Sequence, residues 1–83
     1  MKNKTAELQQ KFEILKSYYN SNQFELALQK AKLLIKEFPN VPVLYNFLGL
    51  VFVRLHNTKE AIKAYETAIK LNPKMSIAYS NLG

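Results

Sequence analysis

A chain of 83 residues can form one domain near the small end of what folds unaided. Its 48% hydrophobic content, with two Gly and three Pro, excludes a disordered chain, and the absence of Cys excludes disulfide and thiol chemistry. The net charge of +6 suits an acidic partner, yet Arg54 is the sole arginine, so base and phosphate recognition, which lean on bidentate Arg, are the weaker expectation.

From the N-terminus, Met1 to Thr5 carries two lysines with no apolar run behind them, which argues against a secretory signal. The first helix is expected over about 5–20. A second is expected over 23–37, with Asn22 and Glu25 at the spacing of a capping box, and Pro39 stands just past its end. The third is expected over 42–55, where Tyr45, Leu48, Phe52 and Leu55 recur at helical spacing. His56 falls in the turn that follows, and His tolerates positive φ better than most residues. Asn57 and Glu60 repeat the capping-box spacing before a fourth helix over 58–71, with Pro73 beyond it. A fifth helix is expected over 76–83. The longest apolar stretches, such as Leu48 to Val53, are too short to cross a bilayer, which suits a soluble, cytoplasmic protein.

Sliding the chain along itself by 34 residues superimposes like on like. Tyr18 falls on Phe52, Ala27 on Ala61, Leu28 on Ile62, Ile35 on Ile69, Lys36 on Lys70 and Pro39 on Pro73. A third copy continues the pattern with Val43 on Ile77, Tyr45 on Tyr79, Leu48 on Leu82 and Gly49 on Gly83. The second unit reads Tyr45, Leu48-Gly49, Phe52, Ala61, Tyr65, Ala68 and Pro73. That series resembles the tetratricopeptide repeat family, in full in this unit. The first unit departs from it: Lys11 replaces the opening aromatic, Leu15 the glycine, Ala31 the second aromatic and Leu34 an alanine. The chain then divides into a degenerate repeat at 8–41, a second at 42–75 and the start of a third at 76–83.

The resemblance implies an all-α fold, a right-handed superhelical array of antiparallel helix pairs with about five helices. Gly49 would let the paired helix approach, with Ala61 as its expected neighbour, and Leu15, Ala31 and Leu34 would exchange volume within the equivalent layer. The family's geometry places the first helix of each pair along a concave groove. The groove residues are then Phe12, Lys16, Tyr19 and Asn20, Asn46, Leu50, Val53 and Arg54, and Ile77, Ser80 and Asn81. Amides there can bond a peptide backbone, Phe12, Tyr19 and Leu50 can shelter an apolar side chain, and Lys16 and Arg54 can meet a carboxylate.

The implied function is a protein–protein interaction scaffold for a peptide or protein segment, acidic segments included. Alternatives are a recruiting or regulatory arm of a larger enzyme or assembly factor and, more weakly, lysine-mediated nucleic-acid binding. The clamp with which one subclass grips the C-terminal carboxylate of chaperones would map to Phe12, Lys16, Phe47, Ile77 and Asn81, and only Asn81 is close to what it requires. No catalytic group, cofactor or metal is expected: with one His, no Cys and no Asp, His56 lacks partners for either chemistry. Lys59, Lys63, Glu66 and Lys70 read as a solvated outer face, with Glu66 and Lys70 at pairing distance along a helix. A third repeat that stops in the middle of its first helix suggests a piece of a longer array, or an open end covered by self-association.

Overall fold

The computed structural model describes residues 4–74, and the expected fifth helix lies outside them. Four helices follow in order: α1 (Lys4–Asn20), α2 (Phe24–Glu37), α3 (Pro42–Arg54) and α4 (Thr58–Leu71). Each agrees with its sequence expectation to within a residue, and no strand occurs among the described residues. Consecutive helices pack on one another, and the short connections at 21–23 and 55–57 turn the chain back on itself in two helical hairpins.

Both hairpin turns use the same device. Among the described residues, Asn22 (φ 62°) and His56 (φ 61°) are the non-glycine residues with positive φ, and they stand 34 positions apart. At each, the amide N–H donates to the carbonyl three residues back, at 3.1 Å for Asn22 to Tyr19 and 3.0 Å for His56 to Val53. The next N–H then reaches five residues back, Gln23 to Tyr18 and Asn57 to Phe52, both at 2.9 Å. This pair of bonds around a left-handed residue is a Schellman motif, and it satisfies carbonyls that the helix end would leave open.

The motif corrects one sequence expectation. Asn22 does not cap α2, because it already serves as the left-handed residue that ends α1. The residue before α2 is Gln23, which makes no side-chain cap bond. One unit later Asn57 does cap α4, its Oδ1 accepting the Glu60 N–H at 3.4 Å. The true equivalent of Asn57 is therefore Gln23, one residue past the position that spacing alone suggested.

Two clusters of buried side chains hold the hairpins together. Leu15, Ala27, Ala31 and Leu34 of the first hairpin close on Leu44, Phe47 and Val51 of α3. Phe52, Ala61, Ala64 and Tyr65 form the second cluster, with Leu28 and Leu48 packed against both. Burial of this kind is the main stabilising term, at roughly 25 cal/mol per Å² of apolar surface. Polar ties trim the edges. Tyr45 donates from its hydroxyl to the Pro39 carbonyl at 2.9 Å, fixing the link between hairpins, and Lys11 bridges α1 to Glu37 of α2 at 2.8 Å. That carboxylate raises the Lys11 pKa above its ordinary value. On α4 the ion pair runs from Lys63 to Glu60 at 3.6 Å, rather than between Glu66 and Lys70 as spacing suggested.

Candidate functional site

The first helix of each hairpin presents its expected residues on one face, since 12, 16, 19 and 20 on α1 and 46, 50, 53 and 54 on α3 each recur every third or fourth position. Phe47 joins the two faces. Its ring meets Phe12 edge-on at 5.5 Å and Tyr19 at 5.8 Å between centroids. Aromatic pairs of this geometry contribute about 0.5–1.5 kcal/mol beyond their buried area. Phe12 and Tyr19 are consequently half-buried: part of each ring is spent on the interior and part stays accessible.

The remaining expected residues differ in what they can offer. Val53 is 49% exposed, Leu50 is half-buried beside it along α3, and Asn20 is exposed at the end of α1. Asn46 is 8% exposed, so little of its amide can be reached. Lys16 lies 5.4 Å from the centre of the Phe12 ring and pairs with Glu13 at 2.9 Å. Ile77, Ser80 and Asn81 lie outside the described residues.

Arg54, in the last turn of α3, is held from two sides. Its Nε donates to the Tyr19 hydroxyl at 2.9 Å, and its guanidinium carbon sits 5.6 Å from the Tyr19 ring centre and 5.9 Å from that of Phe24. The bond to Tyr19 raises the already high pKa of Arg54, so the group stays charged throughout the working range. Phe24, which also meets Tyr19 at 5.4 Å, was missed by sequence reasoning. Its repeat equivalent is Thr58, so no periodic signal marks it; the only clue is an aromatic residue directly after a turn.

A concavity of about 410 Å³ lies between α1 and α2, apart from the expected groove residues, and is lined by Ile14, Tyr18 and Leu33 among others. Shifted by 34, Ile14 and Tyr18 become Leu48 and Phe52, which in the second hairpin are covered by packing with Leu28 of α2. This concavity thus corresponds, by the repeat, to the side of the second hairpin on which α2 packs. Among the described residues no helix is long and apolar enough to cross a membrane, and no three acidic, His or Cys side chains gather to hold a metal ion.

Residues 42–75 match the tetratricopeptide repeat family. Those residues, which comprise α3 and α4, are one repeat of that family. It is also similar to two human proteins, RANBP2-like and GRIP domain-containing protein 8 and RANBP2-like and GRIP domain-containing protein 5/6. Identity to each is 31% over 62 residues, covering 75% of this chain and 4% of the relative. The chain therefore spans a small fraction of the length of these curated relatives. Tetratricopeptide repeats form a non-catalytic fold that generally mediates protein–protein interaction, and the helical pairs described above are of that kind.

Proposed function

We propose that this tetratricopeptide-repeat chain is a scaffold that receives a peptide or protein segment along the α1–α3 face, the inner side of a right-handed superhelical stack. The observation that carries the reading is the composition of that face. Accessible apolar surface at Val53 and Leu50 adjoins a charged group, Arg54, that is already fixed in place. A face of this kind can exclude water around an apolar side chain while orienting the polar groups beside it.

The test is a peptide array probed with wild type and two variants. Leu50→Asp with Val53→Asp should abolish capture, while Lys63→Ala with Lys70→Ala on α4 should leave it intact. Peptides retained by the α3 variant and lost by the α4 variant would overturn the assignment.

A recruiting arm of a larger protein is the second reading, and the length of the human relatives favours it. It uses the same face. Comparing the partners bound by the natural protein with and without Leu50→Asp and Val53→Asp tests that reading.

A further inference from the structure

Resting on the reading of the α1–α3 face as a binding surface, we propose that Arg54 is a preset anchor for a side-chain carboxylate, so that the preferred segment carries an Asp or Glu next to an apolar residue.

Three observations support this. First, the guanidinium already has contacts within the chain. The Tyr19 hydroxyl accepts from Nε, and the guanidinium carbon lies 5.6 Å from the Tyr19 ring centre and 5.9 Å from that of Phe24. A side chain with several rotatable bonds normally pays for ordering when it binds, and here that cost falls on folding instead. Using Nε inward occupies the side-on edge and leaves the two terminal nitrogens, the pair that meets a carboxylate end-on, free to donate.

Second, the charge is uncompensated. Among the described residues Lys11, Lys16 and Lys63 each meet a glutamate, while Arg54, like lysines such as Lys59 and Lys70 on α4, is in none of these ion pairs; what sets Arg54 apart is its place beside the apolar face. A chain of net charge +6 has few acidic groups to spare for it. Third, the apolar contact lies next door. Val53 is its chain neighbour and Leu50 stands one helical turn back, so an acidic residue at Arg54 would leave an adjacent apolar side chain over exposed aliphatic surface.

Tyr19 is then a positioning residue. It does not meet the carboxylate but decides where the guanidinium points.

The test uses fluorescein-labelled, N-acetylated and C-amidated peptides with one central Glu flanked by Leu or Phe, each beside a twin with Gln in place of Glu. Wild type should bind the Glu peptides about tenfold more tightly than their twins at moderate salt. Arg54→Gln should bring that ratio close to one while apolar flanking residues still matter. Tyr19→Phe, which keeps the ring and removes the hydroxyl, should lower the ratio without changing the far-ultraviolet circular dichroism or the melting temperature appreciably. A further arm gives the Gln peptides a free C-terminus; a preference that appears only there would overturn the side-chain assignment.

Chemical-shift mapping of the bound peptide separates this inference from the reading beneath it. Shifts along α1 and α3 with no Glu-over-Gln preference would sink the anchor and leave the scaffold standing. Shifts confined to other faces, or no binding at all, would sink both.

Discussion

Gly49 of α3 lies beneath the ring of Tyr65 of α4, so closely that a Cβ placed on residue 49 would stand 2.5 Å from Cε1 and 2.7 Å from Cδ1 and Cζ. The expected neighbour had been Ala61; the atoms that require a glycine belong instead to the tyrosine four residues on. One repeat earlier the same two positions hold Leu15 and Ala31, both buried in one cluster. Glycine under tyrosine in one hairpin and leucine with alanine in the other are two ways of filling one layer, by moving bulk from one helix to its partner.

The pair therefore behaves as a unit under mutation. Gly49→Ala gains about 1 kcal/mol of helix propensity but overpacks a buried ring at about 1–3 kcal/mol, and a net loss is expected in urea unfolding. Gly49→Leu alone should lose more. Gly49→Leu combined with Tyr65→Ala, which copies the arrangement of the first hairpin, should recover much of that loss. A double-mutant cycle with no favourable coupling would mean that the two positions do not share a layer.

The left-handed turns predict a stabilising change. A non-glycine residue with positive φ carries a conformational penalty of about 1–2 kcal/mol, smaller for Asn, and both Asn22 and His56 are exposed. His56→Gly should raise stability by about 0.5–1 kcal/mol once the added freedom of the unfolded glycine is subtracted. Asn22→Gly should do less. His56→Val, β-branched and poorly suited to this conformation, should be clearly destabilising. Thermal melts of the three variants check the order.

Equivalent positions with unequal caps give a third expectation. Removing the Asn57 side chain leaves the Glu60 N–H without its acceptor, so Asn57→Ala should cost ~1 kcal/mol. Gln23→Ala should cost almost nothing, since Gln23 makes no cap bond. Gln23→Asp should stabilise, adding both an acceptor and a negative charge at the start of α2. Equal effects at positions 23 and 57 in denaturant titrations would show that the cap at Asn57 carries no energy.

Periodicity was enough to find the four helices because each buries a stripe that recurs every three or four residues, and Pro39, Pro42 and Pro73 mark where helices cannot continue or can begin. What spacing could not supply was the contact made across helices. Asn22 and Glu25 have capping spacing, but a polar residue in a turn can serve the helix before it as readily as the one after it, and only backbone conformation decides between them. Likewise Phe24 and Arg54 lie thirty residues apart with no repeat relation, and only the folded chain brings the ring beneath the guanidinium.

The buried phenol of Tyr65 makes stability depend on high pH. Burial is the larger cause that raises its pKa above the ordinary value near 10, with a smaller contribution from Tyr19. The unfolded chain therefore loses the Tyr65 proton at a lower pH than the folded one does. Below pH 10 the phenol is neutral in both states and its contribution is fully present; as pH climbs past 10, ionisation favours the unfolded chain and stability falls. Tyr65→Phe keeps the ring over Gly49 but has no proton to lose, so its midpoint in urea should decline less steeply between pH 9 and 11 than that of wild type. Parallel slopes for wild type and Tyr65→Phe would mean that the phenol reaches solvent in the folded state and that the layer over Gly49 is open.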